Sequence, residues 1–511
     1  MTTPHNTPTS YETAHRSFRD IERAALIDFA RNAPVAMGFG FMDDAGHHQD
    51  GHGVELWING RFTHTFALEY MLGNESVSDL VDFGIHTLRW RLRDQQHGGW
   101  FSSILPDQGE QAGLHKTGIP FDQEGSRKAA YAHAFVILAA SSALMAGHGD
   151  AQKLLDDALN VFDERWYEPQ HHKVCESYDR QWHTSEPYRG INANMHTVEC
   201  MLAAYDATGD SELLNRARLI VDFVLSQASE TSWRIAEHYD QQWNLDMDYN
   251  RNRPADPFRP WGATVGHGLE WARLTMQTAC ALAARGIDAC SEAKRKNDMA
   301  GRATEGVGCD NAAGADIPKT DGFYIGDGKE GVASGVVGDV NTSGTPVAVN
   351  PVVAEGAVRS EFFSAALELT KRALADGWHV DGTPGFVYTT DFDGHPIVHE
   401  RMHWVVCEAL NTANVAQRLL EAGVSEGTQS MQNAAGALVK EFKANQVTWW
   451  DYAKKYLIEK PGQWREELDR SNRLSTKTWV GKPEIYHAYQ ALILPDIDPT
   501  CSFAAALKHS C

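Results

Sequence analysis

The sequence predicts an all-helical fold in which paired helices ring one central cavity, with short β-hairpins in the connections. Three observations predict it. Apolar residues recur at three- and four-residue spacing along most of the chain. Helix pairs return at intervals of roughly fifty residues, without a strict sequence repeat. Histidines and aromatics collect where helices begin, so that starts and loops face a common space.

In chain order, amphipathic or wholly apolar helical patterns cover 11–33, 76–94, 128–147, 150–166, 194–210, 211–227, 269–286, 360–377, 400–423 and 430–447. Several stop at Gly or Gly-Asp, the usual C-terminal signal. Segments 54–64 (VELWINGRFTH), 171–182, 233–244 and 385–400 have strand or turn character. Residues 1–18 read as a polar N-terminal tail that turns helical near Tyr11, 19–290 and 356–497 as one helical catalytic domain, and 498–511 as a C-terminal tail. Residues 291–355 are rich in Gly and Ala and lack helical periodicity. They are expected to be a poorly ordered insertion, or to reflect a misplaced coding boundary.

Composition narrows the function. Of 511 residues, 42% are hydrophobic and 22% charged, as in soluble globular proteins. The formal charge of −22 argues against nucleic acid or an anionic membrane as a partner. No apolar run is long enough to span a bilayer. The N-terminal stretch lacks the apolar core of a secretory signal, and the eight cysteines form no CxxC, so a reducing cytoplasm is expected.

The stretch GATVGHGLEWARL sets His267 between Gly266 and Gly268, with Glu270 three residues on. The glycines leave room for another molecule beside the imidazole. If the helix already includes His267, then His267 and Glu270 share a face of its first turn. Similar mixtures occur at Arg61 and His64, at Trp100, at Asn192, His196 and Glu199, at His238, at His403, Trp404 and Glu408, and at His487. Neutral-sugar pockets want this combination of flat aromatic faces with Asn, His, Arg and carboxylates. His-x-x-Glu at His196–Glu199 and His267–Glu270 reverses the Glu-x-x-His order of bundle metal sites, and HExxH, P-loop, GxGxxG and GxSxG signatures are missing. Neither a metal nor a cofactor is expected.

GRFTHTFAL, GINANMHTVECMLAAYDATGD, FRPWGATVGHGLEWARL, DGTPGFVYTTDFDGHPIVHERMHWVVCEAL and TWVGKPEIYHAYQALILP together resemble the N-acylglucosamine 2-epimerase superfamily, most closely its aldose–ketose isomerase branch acting on mannose or sulfoquinovose. The resemblance runs from about Ile21 to Pro495, apart from 291–355. It implies an (α/α)6 barrel of twelve helices, a cofactor-free histidine mechanism and a monosaccharide substrate. It also implies catalytic roles for His267 and His487, with Glu270 beside the first, and substrate contacts for Arg61, Asn192, His196 and Tyr131. Trp404 and His403 are further substrate-contact candidates by residue type. Aldose–ketose interconversion moves a proton between C2 and C1 through an enediol, work suited to imidazoles. His487 is the expected C2 base, His267 the ring-opening partner oriented by Glu270, and Arg61 the enediolate stabiliser. A 2-epimerase of the same family, a sulfoquinovose isomerase, a glycoside hydrolase using two of Glu199, Glu270 and Glu408, and a partner-binding protein are the alternatives.

Overall fold

A computed structural model describes residues 10–108, 116–286, 347–424 and 429–508. Its helices, in order, are α1 (Ser10–Ala30), α2 (Leu56–Met71), α3 (Ser78–His86), α4 (Ala130–Met145), α5 (Ala151–Val161), α6 (Ile191–Thr208), α7 (Ser211–Glu230), α8 (Val265–Ala284), α9 (Pro351–Val358), α10 (Glu361–Gly377), α11 (His403–Gly423), α12 (Gln429–Tyr452), α13 (Tyr486–Ile493) and α14 (Phe503–Lys508).

Burial sorts most of these helices into two concentric layers. Helices α2, α4, α6, α8, α11 and α13 are buried on nearly every face, and each packs on the next, with α13 returning to α2 to close the circle. Helices α3, α5, α7, α10, α12 and α1 lie outside them, packed respectively on α2, α4, α6, α8, α11 and α13. The outer helices α5 and α10 bury one stripe each and keep polar residues on the other side, as surface helices do. This is the (α/α)6 barrel.

The inner helices all begin at one rim, because a short strand leads into each of five of them. Val54–Glu55, Lys128–Ala129, Tyr188–Gly190, Ala263–Thr264 and Arg401–Met402 immediately precede α2, α4, α6, α8 and α11. Each pairs antiparallel with a strand further along the chain, as Lys128 opposite Tyr178 and Arg401 opposite Leu468. Hairpins at this rim share a turn that the bare sequence conceals. Asp43, Asp179, Asp240, Asp391 and Asp469 each accept, at Oδ1, the N–H groups two and four residues ahead. The third residue on is left-handed in every copy: Gly46, Trp182, Trp243, Gly394 and Asn472. Both tryptophans held in that conformation have anchored indoles: Trp182 Nε1 donates to the His97 carbonyl at 2.9 Å, and Trp243 Nε1 to Glu168 at 3.2 Å.

Several expectations change. Segment 54–64 is not a strand beyond its first two residues: it is the start of the inner helix α2, and α13 is a second inner helix without a readable stripe. A helix buried all round has no polar face, so periodicity cannot reveal it. The 1–18 tail turns helical at Ser10, one residue from the expected Tyr11. The 498–511 tail contains α14, whose Phe503–Leu507 are buried against α2, α4 and α6. Residues 291–346 of the expected insertion lie outside the described residues. Its last part is ordered helix: Asn350 caps α9 through a 3.0 Å hydrogen bond from the Val352 N–H, and α9 packs on α8 and α11. No described helix is long and apolar enough to cross a membrane.

Candidate active site

At the rim where the inner helices start, the second helical residue of a helix and the one a turn later face the ring axis. This register places Trp57 and Arg61 of α2, Tyr131 of α4, Asn192 and His196 of α6, Glu270 of α8, Trp404 of α11 and His487 of α13 around one cavity, with His267 in the first turn of α8. Loops add Phe258, Tyr388, Glu466, Trp479 and Glu484. The cavity continues into a wider vestibule that shares Trp57, Tyr131, Asn192 and Phe258. Eight of the nine residues singled out from the sequence thus line one space. His403 does not. It is the residue before Trp404, and one helical step turns it away from the axis, towards Trp464 and the Glu466 carboxylate 3.4 Å away.

Three imidazoles line the cavity, and each has Nδ1 against a buried carboxylate: His196 on Glu199 at 3.1 Å, His267 on Glu237 at 2.9 Å, and His487 on Glu408 at 3.1 Å. A carboxylate only accepts, so Nδ1 carries the proton and Nε2 is left as the free lone pair. Trp404 stands between His267 and His487, its ring centroid 5.4 Å from one and 5.7 Å from the other. Burial pushes His487 down to about 3 and His196 down to about 4, so both are neutral at physiological pH.

Below the imidazoles lies a buried ionic cluster. Arg273 Nε donates to Glu408 at 2.8 Å and its Nη2 to Glu270 at 3.4 Å. Burial alone would raise Glu408, but Arg273 and the His487 hydrogen bond draw it down to about 2. Glu270 moves the other way, well above the usual carboxylate range, because of burial and then the neighbouring Glu408 charge. Burial thus favours the protonated form of Glu270, which faces the cavity. Arg61 donates to Glu484 at 2.9 Å and to the Tyr131 hydroxyl at 3.2 Å, and lies over the rings of Phe135, Tyr486 and Trp57. Burial opposes its charge, yet Tyr131 and Glu484 hold it protonated, while burial pushes the Tyr131 phenol up to about 12.

Two expectations about α8 need correction. The carboxylate hydrogen-bonded to His267 is Glu237, from the segment after α7, and Glu270 pairs instead with Arg273. Gly266 makes room for Trp404, since an added Cβ would sit 2.2 Å from the indole Cζ3; an added Cβ at Gly268 would meet Ala373 at 3.3 Å. Gly266→Ala is consequently expected to lower kcat/KM about tenfold or more by displacing Trp404, despite alanine's better helix propensity. Steady-state kinetics of the parent and the variant check this. Glu237, Glu408 and Arg273 are among the site residues that sequence reasoning passed over or left without a role in the isomerase reading, as are the cavity-lining Trp57, Glu466 and Glu484. Glu237 carries no motif, being thirty residues before the imidazole it supports. His196, Glu199 and Glu270 present ligand atoms within 4.8 Å of one another. The Arg273 guanidinium, which bonds Glu270 and lowers Glu199, already supplies a positive charge to this cluster.

The chain is similar over most of its length to known proteins. The family model for N-acylglucosamine 2-epimerase (GlcNAc 2-epimerase) matches residues 38–300 and 351–491, its gap falling inside the expected insertion. A D-mannose isomerase of Thermobifida fusca is 36% identical over 498 residues, 97% of each chain. One from Pseudomonas cannabina pv. alisalensis is 34% identical over 496 residues, 97% of this chain and 95% of that protein. Among solved structures, a D-mannose isomerase crystal structure superposes with TM-score 0.66 at 22% identity, covering 97% of this chain and 99% of that one. Cellobiose 2-epimerase from Spirochaeta thermophila DSM 6192 gives TM-score 0.62 at 15% identity, covering 96% and 98%.

Proposed function

The chain belongs to the N-acylglucosamine 2-epimerase family, and from that premise we propose that it interconverts D-mannose and D-fructose by proton transfer through an enediol. The observation that carries the reading is the pair of carboxylate-backed imidazoles, His267 and His487, either side of Trp404 on one cavity.

The geometry supports a division of labour. His487, neutral and with Nε2 free, takes the C2 proton and returns it to C1. His267 acts at the sugar oxygens during ring opening. Glu270, as a neutral acid, donates to a sugar oxygen, a role that replaces the orienting one expected from the sequence. Arg61 stays charged and stabilises negative charge on the enediolate oxygen, aided by the inner-helix N-termini that converge on the cavity. Asn192, His196 and Tyr131 hold hydroxyls, and Trp404 offers its face to the C–H side of the ring. No metal or cofactor enters this scheme. Among the described residues Arg61 is the one lysine or arginine lining the cavity, and it is already paired with Glu484. That favours a neutral sugar over a sulfonated one. Free sugars and buried free cysteines, such as Cys200 and Cys280, suit a cytoplasmic enzyme.

The second reading, 2-epimerisation of mannose to glucose, draws on the same two imidazoles, because His267 and His487 lie on opposite sides of Trp404 and could address opposite faces of C2. Incubating the protein with mannose in heavy water separates the readings by proton NMR. The expected product is fructose, with C1 deuterated only to the extent that His487 exchanges its proton before returning it; glucose deuterated at C2 as the major product would overturn the isomerase reading.

A further inference from the structure

We propose that Glu237 is a positioning residue that fixes His267 in its Nδ1–H tautomer, and that proton transfer by His267 depends on it. The inference rests on the reading of His267 as a proton-transfer group and goes beyond it by naming what makes the imidazole competent.

Glu237 does not border the cavity. It sits directly before the strand His238–Asp240, which pairs antiparallel with Tyr188–Gly190. Its own carbonyl accepts the Ile191 N–H at 3.0 Å, at the first residue of α6. The next residue is locked at both ring nitrogens: His238 Nε2 donates to the Pro260 carbonyl at 2.8 Å, and its Nδ1 accepts the Tyr188 hydroxyl at 2.7 Å. The strand is thus tied to α6 and to the loop before α8. Its carboxylate, only 4% exposed, reaches His267 Nδ1 at 2.9 Å from a fixed support.

The other two imidazoles are held differently. Glu199 lies one turn from His196 on the same helix and also accepts the Tyr486 hydroxyl. Glu408 is clamped by Arg273. Glu237 has neither kind of support: among the described residues no lysine or arginine ion-pairs with it, and His267 Nδ1 has no second partner. Its acceptor-only carboxylate therefore decides by itself which ring nitrogen of His267 carries the proton. A glutamine of the same length can turn its amide to donate or accept, which removes the decision while keeping shape.

The test compares the full-length protein with Glu237→Gln. In 15N-histidine-labelled protein, long-range 1H–15N correlation reports the tautomer, and the His267 ring is identified by its loss in His267→Gln. The expected result is a protonated Nδ1 and a free Nε2 in the unmodified protein. In Glu237→Gln we expect a mixed or inverted tautomer, with kcat on mannose lowered about a hundredfold and KM changed less than about threefold. A protonated Nε2 in the unmodified protein, or a Glu237→Gln variant with unaltered tautomer and kcat, overturns the proposal. If Glu237→Gln lowers thermal stability and kcat but keeps the Nδ1–H tautomer, the residue is structural and the proposal also falls. Should Glu237→Gln fail to fold, Glu237→Met, which keeps the length and removes the acceptor, carries the same comparison. A His267→Gln variant that stays active refutes the underlying site reading; an inactive His267→Gln beside a fully active Glu237→Gln refutes this inference alone.

Discussion

Replacing His487 with asparagine lowers kcat for mannose–fructose interconversion by about 10²- to 10⁴-fold, the range that a positioned proton-transfer group supplies. The corresponding loss of transition-state stabilisation is about 3–5 kcal/mol. His487 is the second residue of α13, a helix buried on all sides, and among the described residues its imidazole hydrogen-bonds only to Glu408. Asparagine can keep that bond through its amide but offers no titratable nitrogen to the cavity. The fold should persist, because the Arg273–Glu408 pair that anchors this side of the ring does not involve the imidazole. Single-turnover kinetics with C2-deuterated mannose checks the assignment: the variant should show the deficit in the isotope-sensitive step. A turnover within tenfold of the parent removes His487 from the C2 step.

Replacing Arg273 with methionine has the larger structural effect. Arg273 is 1% exposed and carries the charge that offsets the lowered carboxylates Glu408 and Glu199. Removing it leaves buried carboxylates without a cation, a change that costs on the order of 3–5 kcal/mol. Glu408 would then climb back towards neutrality, since burial alone favours its protonated form. A neutral Glu408 no longer forces the His487 tautomer, so activity falls along with thermal stability. Arg273→Lys restores charge but cannot serve Glu408 through one nitrogen and Glu270 through another, and should recover only part of the melting temperature. Thermal melts of the three proteins, beside their kcat values, measure this. Equal melting temperatures for the parent and the methionine variant would show that the cluster contributes nothing.

The uneven legibility of this fold has a simple cause. Outer helices such as α5 and α10 announce themselves because water on one side enforces a polar stripe. The inner helices α2 and α13 meet protein on every side, so nothing in their sequence alternates, and the residues 54–64 pass for a strand. The site was legible where chemistry forces unusual residues into apolar surroundings, as at His267, His487 and Arg61. It was illegible where geometry decides. Trp404 and His403 are equally good candidates until the start of α11 is known, and then one faces the axis and the other faces Trp464. Gly266 looked like space for a ligand and is space for Trp404. Glu237 is invisible because its meaning arises only when the strand beside α6 meets the start of α8. The recurrent hairpin turn hides for another reason: its five copies share one aspartate and one backbone angle, while the left-handed position is glycine, tryptophan or asparagine by turns.

The closure of the ring also governs when the chemistry can appear. Arg61 meets Glu484 across 423 positions of chain, Tyr489 meets Glu69 across 420, and Gly462 meets Glu22 across 440. Contacts so remote in sequence form late in folding, after the entropy of a very long loop has been overcome. A chain emerging from the ribosome can pair its first few helical hairpins while Arg61 still lacks its counter-charge and His487 has not been synthesised. Competence therefore arrives in one step at the end of assembly, and partly built molecules are silent towards the sugars around them.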